Sequence, residues 1–180
     1  MSRNIFVISD THFNHANILN FKDSNDLLIR PGFKDVQEMD QTIIDRWNAI
    51  VRPDDIIYHL GDVMFGHKDN LGRILPRLMG RKRLIMGNHD YDASDFMPYF
   101  DKIMSWRHFG KNEFKIPVIM THFPLHTSSF QYKNNGTGIN IHGHIHEKTI
   151  GDPSWINVSV ERTNYSPVAI EDIVNGNYKG

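Results

Sequence analysis

Apolar and polar positions alternate along the chain with two different periods. Residues 4–10, NIFVISD, form a continuous apolar run closing on polar residues, the pattern of a buried strand. Val36, Met39, Ile43, Ile44, Trp47 and Ile50 recur at intervals of three and four, which predicts a helix over 36–50 with one stripe turned inward. DDIIYHLGD (54–62) and KRLIMGNHD (82–90) predict a second and third strand. Between them NLGRILPRLMG (70–80) predicts a short helix, disturbed by Pro76 and closed by Gly80. Strand and helix alternating in this order predict a largely parallel α/β sheet. After residue 115 the pattern changes. KIPVIMTHF, GINIHGHIH, WINVSVE and PVAIEDI read as strands with little helix between them, so a second sheet is expected to pack on the first within one domain, residues 1–180. Thr127 to Gly138 is a polar, glycine-bearing loop.

Composition narrows the possibilities. With 180 residues, 39% of them hydrophobic, the chain can bury a substantial core. No apolar run reaches the length of a membrane span. The start, MSRNIFVISD, enters a strand almost at once, with no room for a signal peptide, and a cytoplasmic location is expected. The absence of cysteine excludes disulfides and thiolate metal sites. A formal charge of −1 supplies no overall field for nucleic acid, and Arg81 to Arg83 reads as a solvated strand entrance. The histidine count of 11 is high enough to need a reason.

The chemistry lies where the strands stop. The first ends in SDTH, offering Asp10 and His12, which share a face if extended. The second ends in LGD, offering Asp62, and the third in GNHD, offering Asn88 and His89. MTHFP adds His122. INIHGHIH carries His142, His144 and His146 at alternate positions, all on one face if that stretch is extended. Ligands of α/β sheets bind beyond the carboxyl ends of strands, and these ends all deliver imidazole, carboxylate or amide oxygen. Glycines in LGD, GNHD and HGH let the backbone turn closely around a small centre.

The ordered set Asp10-Thr-His12, Gly61-Asp62, Gly87-Asn88-His89-Asp90, His122 and Gly143-His144-Ile-His146 resembles the calcineurin-like metallophosphoesterases, across Asp10 to His146 and with no motif missing. The resemblance implies a four-layered αββα sandwich of two mixed sheets flanked by helices, with two divalent metal ions between the sheets. It implies that Asp10, His12 and His146 hold one ion, that Asn88, His122 and His144 hold the other, and that Asp62 bridges them. His142 has no ligand role in the pattern. Nitrogen and oxygen ligands suit manganese, and equally iron, nickel or zinc. Two carboxylates against two divalent ions leave the centre positive even with a bridging hydroxide, ready for a phosphoryl group. His89, beside a ligand, is implied as the group facing the phosphate and is assigned as general acid.

The motif GDVMFGH departs from the protein phosphatases of this superfamily, which place an aspartate where Phe65 stands and an arginine nearby. A small phosphodiester or nucleotide-type substrate is therefore expected, with a phosphomonoester as the alternative. Near-zero net charge makes large duplex nucleic acid a poor partner. His15 and Arg30, in the segment after the first motif, are candidates to reach a phosphate, with a solvated role the commoner one for either alone, and Phe130 and Tyr132 are candidates to stack on a base, with anchoring of their loop the commoner use. A non-catalytic scaffold, as in the retromer subunit that keeps this fold, is the rival from another class. A purely structural metal site would be coordinatively closed.

Overall fold

The computed structural model describes residues 4–132 and 136–180. Its elements in chain order are β1 (Ile5–Ile8), α1 (Val36–Ile50), β2 (Ile56–His59), α2 (Leu71–Ile74), β3 (Arg81–Ile85), α3 (Ala93–Phe96), β4 (Lys102–Met104), β5 (Trp106–Phe109), β6 (Val118–Thr121), β7 (Gln131–Tyr132), β8 (Gly136–Thr137), β9 (Ile139–His142), β10 (Trp155–Asn157), β11 (Val168–Ala169) and α4 (Ile170–Val174). Two mixed sheets carry the fold. One runs β11-β1-β2-β3-β4, parallel from β1 to β4 with β11 antiparallel at the edge. The other runs β10-β9-β6-β5, with β5 antiparallel. Among the described residues, no helix is long and apolar enough to cross a membrane.

Helix α1 forms where its periodicity predicts. Asp35 caps it, its carboxylate accepting from Glu38 N at 2.9 Å. Val36, Met39, Ile43, Ile44 and Trp47 are buried against the first sheet, joined by Phe6, Ile8, Ile57 and Leu84. Ile50, at the last turn, is exposed instead. The opposite face of the sheet meets the second sheet through Val7, Tyr58, Leu60 and Ile85 against Val118, Met120, Ile141 and Ile156. Burial on both faces explains why β1 reads as a continuous apolar run.

Several elements differ from the sequence expectation. The helix over 70–80 is broken into the short α2 flanked by 3-10 turns, and Pro76 lies in the second of these. Strands β4 and β5 are too short and too polar to show a period. PVAIEDI pairs only at Val168 and Ala169, then turns into α4, which buries Ile170 and Ile173. The glycine-bearing loop holds the β7-β8 hairpin.

The two sheets join where β1 ends. Ser9 pairs with Ser159, donating to Val158 O at 3.0 Å and accepting from Val160 N at 3.1 Å. Beyond the strands, the segment after β1 continues beside that after β2, with Asp10 N on Gly61 O and His12 N on Asp62 O. Gly143 N likewise donates to His122 O. The polar ends of β1, β2, β6 and β9 are thereby gathered at one edge.

Candidate metal centre

Six predicted residues fall into two groups with ligand atoms within 4.8 Å of one another: Asp10, His12 and His146, and Asp62, His122 and His144. Asp62, of the second group, also faces the first. Its Oδ2 lies 3.7 Å from His12 Nε2 and 3.4 Å from His122 Nε2, while its Oδ1 accepts from His89 N at 2.9 Å. Asn88, on the exposed side, places Oδ1 2.9 Å from His122 Nε2.

The local backbone is bent sharply to do this. Asp10, His12, Asp62, His144 and His146 all have positive φ, between 47° and 70°. Non-glycine residues seldom adopt that region, and clusters of such strain mark sites where the surroundings hold the chain against its preference. His144 and His146 are therefore not on an extended face, because β9 ends at His142 and the next residues form a turn. Gly61 and Gly143 permit the close approaches. A Cβ at Gly61, where φ is +99°, would stand 2.7 Å from His122 Nδ1, and one at Gly143 would overlap Ser9 Oγ and Asp10 Oδ2.

The outer partners of these side chains aim their free atoms inward. His122 Nδ1 donates to Leu60 O at 2.7 Å, which leaves Nε2 toward Asp62. His146 Nδ1 pairs with Glu161 Oε1 at 2.8 Å, leaving Nε2. His12 Nδ1 meets His15 Nδ1 at 3.2 Å, and its buried Nε2 has no hydrogen-bond partner. Asp10 Oδ2 accepts from His144 N and Ser159 Oγ, both at 2.9 Å, while its buried Oδ1 has none. A buried polar atom without a partner is costly and uncommon. Here the orphans are an imidazole nitrogen and a carboxylate oxygen in one group, the atoms a divalent ion would take. The donor set fits such ions.

The electrostatics of the metal-free protein divide the four histidines: His12 and His144 are lowered, whereas, against the cost of burial, Asp62 raises His122 and Glu161 raises His146. Burial, helped by the nearby Arg30 charge, pushes His12 down to about 2, so its ring is neutral and keeps a lone pair. Burial opposes ionisation of Asp62, but the hydrogen bond and charge of His122 and the His89 N–H outweigh it, holding this carboxyl well below the usual range. His144 is lowered by burial and by His122.

Other residues reveal supporting roles that the strand-end pattern did not show. Asp90 accepts from Asp62 N, Val63 N and Gly87 N at 2.9–3.0 Å, tying the second motif to the third. Glu161 receives Arg30 Nε and Nη2 at 2.7 Å as well as His146. Arg30 is 1% exposed and also donates to Asp10 O and Thr11 O. It is a buried brace, so both expectations for it, contact with a phosphate and a solvated role, are corrected. His15 is also buried, stacked on Phe65 at 4.0 Å. His142 is buried and donates through Nδ1 to Gly143 O. Phe130 anchors its loop against Trp155, while the Tyr132 side chain lies outside the described residues. His89 is half-buried, its ring 5.6 Å from that of His12 and its Nδ1 3.4 Å from the Tyr91 hydroxyl.

The sequence profile of the calcineurin-like phosphoesterases matches residues 3–148, and the chain belongs to that family. It is 37% identical to the uncharacterized protein MJ1445 of Methanocaldococcus jannaschii, over 99% of this chain and 93% of that protein. The gene 66 protein of Mycobacterium phage L5 is 30% identical, over 82% of this chain and 79% of its own. A solved structure of a protein of unknown function, AQ665 from Aquifex aeolicus, superposes with a TM-score of 0.76 at 29% identity, covering 96% of this chain and 98% of that one. The family is metal-dependent, and the two groups are candidate metal-binding clusters of this chain.

Proposed function

We propose that the protein hydrolyses a small phosphodiester or nucleotide-type substrate at a centre of two divalent ions. Asp10, His12 and His146 hold one ion, Asn88, His122 and His144 the other, and Asp62 is shared. One observation carries this reading: ligand atoms of both groups converge on Asp62 Oδ2, from His12 Nε2 on one side and His122 Nε2 on the other. When bound, a pair of divalent ions supplies an acidified water and neutralises phosphoryl oxygens. Manganese is the proposed metal, with iron, nickel or zinc compatible with the same donors.

The protein's own groups do the rest. His89 is tied by its backbone to Asp62 Oδ1, so its ring stays at the mouth of the site and can hand a proton to the leaving oxygen. The Tyr91 hydroxyl lies 3.4 Å from Nδ1 of that ring. A diester suits this arrangement, because an alkoxide needs the proton and only one negative charge must be met. Arg30 is held by Glu161 and two backbone carbonyls and has no reach toward a monoester dianion. The absence of cysteine fits a reducing cytoplasm, and the low net charge favours a small phosphorylated substrate over duplex nucleic acid.

The test compares kcat/KM for bis-p-nitrophenyl phosphate and p-nitrophenyl phosphate, with manganese, at one pH. The diester is expected to be the better substrate, and chelator-stripped protein should turn over neither. A clear advantage for the monoester would overturn the preference.

A further inference from the structure

A groove of about 830 Å³ opens beside the metal centre on the outer face of the second sheet. On the β9-β10 side that face is covered by the segment after β6. Trp155 Nε1 donates to Leu125 O at 2.8 Å, and Phe130 packs edge-on against Trp155. On the β5-β6 side the groove remains, its apolar lining Met86, Trp106, Ile119, Phe123 and Leu125, with the imidazoles of His108 and His122 and three hydroxyl side chains also in its wall. No Asp, Glu, Lys or Arg is among the described residues that line it.

Two features connect it to the reaction. The first is continuity: His122 belongs both to the groove and to a ligand group. Phe123 bridges the two spaces, its ring 4.9 Å from that of His122 and 4.6 Å from that of His144. The second is the aromatic surface left bare. Trp106 is 55% exposed and Phe123 47%, although each offers a large apolar face beside the other apolar residues of the groove. The volume lies in the range of pockets that hold drug-sized ligands.

We propose that this groove is the subsite for an uncharged aromatic substituent that stays on the phosphate when the ester is cleaved, an aryl ring or nucleobase held between Trp106 and Phe123. The proposal rests on the phosphoesterase reading and names its substrate class. Charge selects the occupant. A second phosphate in the groove would lose its hydration with no lysine or arginine in the lining, only the imidazoles of His108 and His122, which argues against a nucleic-acid backbone threading this face. A methyl substituent would leave the apolar wall in water. A flat ring satisfies both conditions, and stacking on aromatic side chains is tolerant of the ring's identity.

Two experiments test it. In the first, manganese-loaded protein is crystallised with phenylphosphonate, which has no ester bond to cleave. The expected structure has its phosphonate oxygens at the ligand groups and its ring against Phe123 and Trp106. A ring turned to solvent, or no ordered ring in the groove, overturns the proposal whether or not the protein is a hydrolase. In the second, kcat/KM for bis-p-nitrophenyl phosphate is divided by that for methyl p-nitrophenyl phosphate. The ratio should fall by roughly tenfold in Trp106→Ala, as expected for losing one stacking partner. An unchanged ratio contradicts the proposal. A ring bound in the groove of a protein that cleaves neither ester would leave the subsite standing and remove the phosphoesterase reading.

Discussion

Replacing Glu161 by alanine should damage folding and metal binding separately, and the structure gives a size for each. Glu161 Oε1 receives the Arg30 guanidinium at 2.7 Å and His146 Nδ1 at 2.8 Å, with the two charged side chains 2% and 0% exposed. Breaking such a pair leaves a buried, uncompensated cation, which costs about 3–5 kcal/mol. That is a large share of a stability of about 5–15 kcal/mol. Removing the carboxylate behind a metal-bound histidine lowers metal affinity by about 10–100-fold. Urea denaturation of chelator-treated protein reads the first effect, and calorimetric titration of manganese reads the second. Glu161→Gln keeps an acceptor for His146 and should lose less of both. The double variant Arg30→Met, Glu161→Leu should regain stability while metal affinity stays low. Acid should act in the same direction. Burial opposes ionisation of Glu161, but Arg30 and His146 bring its pKa down to about 2. Its stabilisation is thus complete above the unfolded carboxyl range and is lost as pH falls toward 2. Loss of less than about 1 kcal/mol in Glu161→Ala, with manganese affinity intact, would refute the brace.

Three further outcomes are expected. His89→Ala should retain metal by calorimetry yet lose about 10²–10⁴-fold in turnover of an alkyl ester, and less with a nitrophenolate leaving group; equal losses for both would sink the acid role. Gly143→Ala should impair manganese binding, because the added Cβ overlaps Ser9 Oγ and Asp10 Oδ2; wild-type affinity in this variant would contradict the close approach. His59 accepts from Gly61 N through Nδ1, which leaves Nε2 to donate to Thr11 Oγ1, and burial lowers it to about 3. Metal-free protein should therefore lose up to about 1.4 kcal/mol per pH unit from this group below about pH 6.5, and His59→Gln should reduce the slope measured by denaturation from pH 6.5 to 4.5 by that share, His12 continuing to contribute its own.

What the sequence discloses follows the strength of each local signal. Helix α1 carries a full amphipathic stripe and a cap, and it forms as read. Strands β4 and β5 hold three and four residues with polar or exposed positions, too little to reveal a period. The candidate ligand residues are legible because each motif sits at a strand end, but their geometry is not. An alternating HGHIH suggests an extended face, whereas positive φ at His144 and His146 turns them through a tight bend. Glu161 and Arg30 are 131 positions apart, so their pairing exists only once Ser159 has joined Ser9 and brought the two sheets together. The groove is equally a product of tertiary placement, since Trp106 and Phe123 belong to separate segments with no shared motif.

The central claim is a pair of metals sharing Asp62, and anomalous diffraction from crystals grown with manganese tests it most directly. Two peaks are predicted, about 3.5–4 Å apart, flanking Asp62 Oδ2 with His12 and His146 on one side and His122 and His144 on the other. A single closed ion, or manganese bound elsewhere on the surface with this cluster empty, would contradict it.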